Sequence, residues 1–140
     1  MIDLRSDTVT KPSLEMYEAM NTAEVGDDGY GDDPTVIELE ATVSAGLGVE
    51  AGLFVTSGTQ SNLTAVLTHC GRGDEYVIGE SYHVYRAEGV GTAALGGVIP
   101  QTVPVLSDGS VDLDQVEGKI KPDDMHFPRT RLICFENTHN

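Results

Sequence analysis

Segments in which apolar residues recur every three or four positions alternate along this chain with short, continuous apolar runs. The clearest periodic segment lies within 36–47 and predicts a helix with one apolar face. Asp33 and Pro34 are typical of an N-cap and a first helical residue, and Gly46 and Gly48 of a helix end. The apolar stripe consists of Val36, Leu39, Val43 and Leu47.

Three further segments carry helical signals. Pro12 is typical of a first helical residue and predicts a helix that opens there. The polar turn at 57–60 leads into a periodic segment that Gly71 closes, and Asp112 with Gln115 resembles a capping box. The periodic apolar residues are Met16 and Met20 in the first helix, Leu63, Val66, Leu67 and Cys70 in the second, and Leu113, Val116 and Ile120 in the third.

Four segments predict strands: short apolar runs at 53–55, 76–78 and 132–135, and a mixed segment at 98–105. The runs at 53–55 and 132–135 are typical of buried strands, and the prolines of the mixed segment place it at a sheet edge. Strands that alternate with helices pair in parallel, so we expect an α/β fold with a mainly parallel sheet and flanking helices. Ligands bind such sheets at the carboxyl ends of the strands. The prolines are Pro100 and Pro104.

Composition narrows the classes of partner. The chain has 140 residues, enough for one ordinary domain, and a formal net charge of −15, which disfavours nucleic acid and anionic membrane surfaces. No signal peptide and no apolar run of membrane-spanning length is apparent. Cys70 and Cys134 form no disulfide framework. We therefore expect a soluble, cytoplasmic protein with free thiols.

The turn after the first strand is the strongest local signal of chemistry. Gly58 allows close backbone approach, Ser57 and Thr59 add hydroxyl groups, and the next helix offers free N–H groups. These features are typical of a phosphate site, although neither the P-loop nor the dinucleotide-binding pattern is present. From this turn alone the favoured interpretation is an ordinary N-capped helix after a tight turn.

Histidines supply the other candidates. His83 follows the 76–78 strand and could act as a base, stack on a ligand ring or play a structural role. His139 follows the last strand, whereas His126 lies in an irregular stretch typical of a surface. No zinc spacing is present and the acidic loop at 27–33 does not fit the calcium-loop pattern, so we predict no metal site. Without a G-x-S-x-G elbow, a serine hydrolase is also disfavoured.

Five motifs in order resemble the low-specificity L-threonine aldolases. They are LRSDTVTKP at 4–12, VGDDGYGDDPT at 25–35, SGTQSN at 57–62, the segment around His83, and ENTHN at 136–140. The resemblance spans the whole chain. It implies the aspartate-aminotransferase-like fold of the fold type I enzymes, with residues 1–140 as an N-terminal segment and the first part of an incomplete large domain.

The resemblance also implies a reaction and a set of site residues. Family members use pyridoxal 5'-phosphate to cleave threonine or allo-threonine, small amino-acid substrates, to glycine and acetaldehyde, and they form homotetramers or dimers. His126 matches a second active-site histidine, although its surroundings in the sequence indicate a surface residue. By the same match, Ser57, Gly58 and Thr59 lie in the cofactor-phosphate motif, His83 stacks on the cofactor ring, Ser6 lies near the substrate carboxylate, and Tyr30 lies at the edge of the active site.

One family feature has no match. None of the lysines, Lys11, Lys119 and Lys121, matches the lysine that binds the cofactor covalently. We therefore expect a truncated chain that is inactive alone. Two alternatives stay open: a related β-eliminating lyase or aminotransferase with the same cofactor, and a noncatalytic interaction domain.

Overall fold

The computed structural model describes residues 2–139, which divide into two compact units between Phe54 and Val55. The first unit contains two α-helices, each preceded by one turn of 3-10 helix. None of the helices in residues 2–139 is both long and apolar enough to cross a membrane. In chain order the first unit has a 3-10 turn at Asp7–Val9, α1 at Leu14–Thr22, a 3-10 turn at Asp28–Tyr30 and α2 at Pro34–Leu47.

The first helix begins later than predicted. Its N-cap is Ser13, whose hydroxyl accepts the Met16 N–H at 3.3 Å, so Pro12 lies before the helix. A serine side chain can satisfy a free N–H of the first turn, which proline cannot do. The predicted apolar pair on this helix, Met16 and Met20, is 58% exposed at each position.

The predicted start of the second helix is confirmed. Oδ1 of Asp33 accepts the N–H groups of Thr35 at 3.0 Å and Val36 at 2.9 Å, and Oδ2 accepts the Gly26 N–H at 3.0 Å. At the other end Gly48 adopts the left-handed conformation with φ 68°, whereas Gly46 lies inside the helix. The carboxylate thus ties the 25–35 loop to the helix that follows it.

Acid should loosen this loop. The hydrogen bonds from the N–H groups of Gly26 and Val36 hold the pKa of Asp33 below its ordinary value of 3.8. Because the pKa of Asp33 is lowered in the folded state, its ionised carboxylate contributes fully to the stability of the loop above pH 3.8. This contribution is lost as the pH falls through the pKa of the folded state. We expect the amide protection factors of Gly26 and Val36, measured by hydrogen exchange, to fall on acidification.

The matched control is Asp33→Asn, which keeps a capping oxygen but cannot titrate. Its protection factors at Gly26 and Val36 should be nearly independent of pH. Equal pH dependence in the variant and the wild type would contradict the role of Asp33.

The prediction of a strand at 53–55 is wrong. These residues belong to no strand, and Leu53 and Phe54 are 72% and 46% exposed. The Phe54 N–H donates to Oε1 of Glu40 at 2.7 Å, so a helix side chain takes the place of a strand partner. The apolar stripe of α2 is likewise not buried in this unit, since Leu39 and Val43 are about half exposed.

The second unit is a parallel sheet with helices, as predicted. Its strands are β1 at Glu75–Gly79, β2 at Ile99–Val103 and β3 at Thr130–Cys134. Its helices are α3 at Gly58–His69, α4 at His83–Arg86, α5 at Gly91–Ala94 and α6 at Leu113–Glu117. The strand order is β2-β1-β3, and β1 pairs in parallel with both neighbours, which places β2 at the edge that the prolines of 98–105 indicated.

The core of this unit lies against the central strand. Every residue of β1 is buried, and the Tyr76 hydroxyl meets Oγ1 of Thr92 at 2.9 Å within the core. By contrast β3 alternates between half-buried and exposed residues, and Phe135 is 61% exposed, so the prediction of a fully buried last strand is wrong. The main cluster of buried side chains consists of Val66, Cys70, Tyr76, Ile78, Tyr82 and Val98.

Two local predictions at the ends of these elements also have clear outcomes. Asp112 caps α6, accepting the Asp114 N–H at 2.9 Å, but the helix ends at Glu117 and leaves Ile120 outside it. Cys70 and Cys134 are both free, and burial raises the pKa of the Cys134 thiol to about 11.

A buried ion pair marks the amino end of the sheet. Glu75 is fully buried at the start of β1, and its Oε1 accepts from the Thr130 hydroxyl at 2.7 Å and from Nζ of Lys121 at 3.3 Å. Lys121 therefore lies at the end of the sheet opposite to the strand termini where ligands are expected.

Candidate active site

A cavity of about 310 Å³ opens at the carboxyl ends of β1 and β3. The segments that follow these two strands contribute most of its wall, as the strand-end rule predicted. The helix α3 contributes Asn62. The polar lining residues are Asn62, Tyr82, His83, Glu136, Asn137 and Thr138.

His83 is held on two sides. As the first residue of α4, its N–H is free of a helical partner and donates to the carboxylate of Glu136. Its ring Nδ1 lies 2.8 Å from Oε1 of Glu88. These two contacts hold the residue in place. Its side chain is still 46% exposed, so the ring keeps a surface open to the cavity.

Glu88 is the buried partner of this histidine. Its side chain is 5% exposed, and the same Oε1 that meets His83 accepts from Nδ2 of Asn62 at 2.7 Å. The chain turns sharply after it, with Gly89 at φ 63° and Val90 at φ 53°. A β-branched residue seldom adopts a positive φ. This turn returns the chain into α5 and leaves the carboxylate directed towards His83 and Asn62.

Glu136 connects the ends of the two strands. Besides the His83 N–H, its carboxylate meets Nδ1 of His139 at 2.5 Å. Burial alone would raise the pKa of Glu136, but the hydrogen bonds from His83 and His139 lower it below its ordinary value. The His139 ring lies 5.3 Å from the Tyr82 ring, between centroids. A carboxylate therefore anchors the His83 segment to the end of β3.

The start of α3 keeps free groups for a ligand. The Ser57 hydroxyl caps the helix and accepts the Gln60 N–H at 3.1 Å, so the capped-helix interpretation of this turn is confirmed. Gly58 has open space where a Cβ would be. The Thr59 hydroxyl is exposed and, within residues 2–139, has no hydrogen-bond partner. A capped helix with these features can still accept an anion at its N-terminus.

The lining of the cavity does not include Ser57, Gly58 or Thr59, and the roles of all the predicted site residues stay predictions. His126 precedes β3 in an irregular segment, 77% exposed, with Nδ1 2.7 Å from Oδ1 of Asp124, and does not line the cavity. Ser6 and Tyr30 belong to the first unit; the Tyr30 side chain is exposed, and Oγ of Ser6 meets Oγ1 of Thr8 at 2.8 Å. Asn140, the last residue of the ENTHN motif, is outside the described residues.

Sequence reasoning missed Glu88 and Asn62. The asparagine falls within the SGTQSN motif, but no local pattern indicates that it faces a glutamate 26 positions away. The one signal that could have found Glu88 is the Gly89 that follows it, since a glycine there favours a turn that fixes the preceding side chain.

A parallel sheet with flanking helices defines an α/β domain, and the cavity at the carboxyl ends of its strands is at the place where such domains usually bind ligands. Residues 3–140 match the family described as beta-eliminating lyase, and the chain belongs to that family. The fold class is thereby confirmed: these strands and helices form part of the large domain of a fold type I enzyme.

Curated relatives carry a more specific name. The low specificity L-threonine aldolase of Escherichia coli (strain K12) is 55% identical over 140 residues, which cover 100% of this chain and 42% of that protein. The probable low-specificity L-threonine aldolase 2 of Arabidopsis thaliana is 47% identical over 140 residues, covering 98% of this chain and 39% of that protein. The predicted resemblance is confirmed, and the chain spans about two fifths of the length of the curated relatives it matches.

Proposed function

We propose that the protein containing this chain is a pyridoxal-phosphate-dependent aldolase that cleaves L-threonine or L-allo-threonine to glycine and acetaldehyde. The observation that supports it most is the shared cavity. Asn62, on the helix whose N-terminus is free for an anion, and His83, a flat aromatic ring, line the same cavity. The names of the curated relatives support the same reaction.

The residues present fit this cofactor. It carries a phosphate and a planar ring, and Gly58 lies four residues, about 6 Å along the axis, before Asn62. The phosphate would be held by the N–H groups of the first turn and the hydroxyls of Ser57 and Thr59. The ring would lie against His83. When bound, the cofactor supplies an electron sink for cleavage of the bond between Cα and Cβ.

The chain's own side chains divide the remaining tasks. Nδ1 of His83 is engaged by Glu88, and the face of the ring would meet the cofactor. A ring that lies flat on the cofactor cannot easily direct a nitrogen at the β-hydroxyl of the substrate. We assign the proton of that hydroxyl to His126, or to a water that a histidine holds. Ser6 would bind the substrate carboxylate, and Tyr30 would close the edge of the site.

Other parts of the proposal concern the whole protein. We propose a cytoplasmic homotetramer or dimer with a small amino-acid substrate, in which residues 1–140 form the N-terminal segment and the first part of the large domain. Lys121 pairs with Glu75 at the opposite end of the sheet, which supports a cofactor-binding lysine outside these residues.

A second candidate reaction is β-elimination with the same cofactor, which the name of the matching family favours. Elimination converts threonine to ammonia and a four-carbon 2-oxo acid, whereas aldol cleavage gives glycine and acetaldehyde. The products therefore separate the two reactions directly.

We expect the full-length protein, purified with pyridoxal phosphate, to release glycine and acetaldehyde in equal amounts from L-threonine or L-allo-threonine. Chromatography of the amino acids with a coupled assay for acetaldehyde measures both products. Ammonia and a 2-oxo acid would instead support the lyase alternative. Bound cofactor without any turnover of an amino acid would contradict both reactions, and the absence of cofactor binding would favour the interaction domain.

A further inference from the structure

We propose that Glu88 is a positioning residue that fixes the proton position and the orientation of the His83 ring. The proposal rests on the proposed function in so far as His83 is the ring-stacking residue of that site. It starts from one buried oxygen, Oε1 of Glu88, which meets Nδ1 of His83 at 2.8 Å and Nδ2 of Asn62 at 2.7 Å.

The contact determines which ring nitrogen carries the proton. A carboxylate only accepts hydrogen bonds, so the nitrogen that faces it must be the donor. Nδ1 of His83 therefore bears the hydrogen in the neutral ring, and Nε2 presents its lone pair. The partner of one ring nitrogen therefore determines whether the other nitrogen is a hydrogen-bond donor or an acceptor.

The same contact determines how the ring is turned. Rotation about the Cβ–Cγ bond of a histidine is broad, and nothing in the backbone of α4 selects one ring plane. The backbone end is held separately, by the bond from the His83 N–H to Glu136. With Glu88 at Nδ1, the backbone and the ring of His83 are each held by a carboxylate, and the ring plane is set before a ligand arrives.

Asn62 makes this arrangement depend on α3. Its amide holds the Glu88 carboxylate, which is only 5% exposed, from the helix that carries Gly58 and Thr59 at its N-terminus. The proposed phosphate site and the ring-stacking histidine are thus connected through two consecutive hydrogen bonds. The spacing between the two ends of the cofactor site is fixed by side chains of this chain alone.

The test compares Glu88→Leu, Glu88→Asp and Glu88→Gln in the full-length protein. Gln keeps an oxygen at the same distance and can still accept from both partners, whereas Asp withdraws the carboxylate by one methylene and Leu removes the acceptor. We expect the Glu88→Gln variant to resemble the wild type. The Glu88→Leu and Glu88→Asp variants should have a lower kcat with threonine and little change in KM. For Glu88→Leu we expect a loss of about 10-fold in kcat, the lower end of the range found when carboxylates that orient metal-bound histidines are removed.

Two readouts do not depend on turnover. The visible circular dichroism of bound pyridoxal phosphate reports the environment of the cofactor ring. It should change in the Glu88→Leu and Glu88→Asp variants but not in Glu88→Gln. Crystal structures should show the His83 ring rotated in Glu88→Leu and Glu88→Asp. The matched control is Glu80→Leu, which removes an exposed carboxylate that follows β1 and does not line the cavity.

The outcomes are decisive in each direction. The proposal would be overturned if the Glu88→Leu or Glu88→Asp variant folds and keeps the wild-type kcat, the wild-type dichroism and the wild-type orientation of the His83 ring. Equal impairment of Gln and Leu would also overturn it, since charge rather than position would then matter. If the wild-type protein binds no pyridoxal phosphate, the proposed function fails, and the crystallographic ring orientation still tests the role of Glu88 on its own.

Discussion

In the full-length protein we expect His126→Phe to lower the turnover number far more than His83→Phe. If His126 accepts the hydroxyl proton of the substrate, its removal should cost about 10²- to 10⁴-fold in kcat, the usual contribution of a general base. His83→Phe should cost about 10-fold or less. Phenylalanine keeps a flat aromatic face for the cofactor, although it loses the hydrogen bond to Glu88.

Both variants should be assayed at saturating pyridoxal phosphate, so that a change in cofactor binding does not appear as a change in chemistry. His69→Phe is the matched control, because His69 is an exposed residue at the last turn of α3. A large loss for His83→Phe beside a small loss for His126→Phe would reverse the assignment.

The second large effect concerns the cofactor phosphate. Thr59→Val should raise the dissociation constant of pyridoxal phosphate by about 10- to 150-fold, since a hydrogen bond to a charged group contributes roughly 1.5–3 kcal/mol. The side chain keeps its shape, and its hydroxyl has no partner within residues 2–139 that the change would disturb. Turnover at saturating cofactor should change little.

Titration of the apoprotein with pyridoxal phosphate, followed by absorbance, measures the effect. Thr64→Val is the control, because it makes the same substitution at an exposed position of the same helix, farther from the N-terminus. An unchanged dissociation constant together with a fall in turnover would show that Thr59 acts on the chemistry and not on the phosphate.

The features that sequence predicted well are those encoded by neighbouring residues. The cap at Asp33 and the left-handed end at Gly48 depend on side-chain and backbone preferences within one turn. The helix at Pro12 was placed too early because Ser13 carries a capping signal of its own, and only the structure shows which one is used.

The predictions that were wrong concern features that depend on residues far away in the sequence. An apolar run at 53–55 is compatible with a strand, but strand formation requires a pairing edge, and the Phe54 N–H instead meets a glutamate 14 positions away. The site shows the same division. The strand-end rule points to the segments that follow β1 and β3, and both line one cavity, whereas the Glu88–Asn62 contact depends on a left-handed turn that only the folded chain reveals.

Pro100 in β2 and Pro104 directly after it determine on which side this sheet can grow. The Ile99 N–H and the Val103 carbonyl both point to β1, bonding to Asp74 and to the Glu80 N–H. Because backbone groups alternate in direction along a strand, the nitrogens of Pro100 and Pro104 point the other way, and neither carries a hydrogen. A newly arriving strand, from this protein or from another molecule, finds few donors there. It is directed instead to the side of β3 that has no partner strand among residues 2–139, where no proline interrupts Thr130–Cys134.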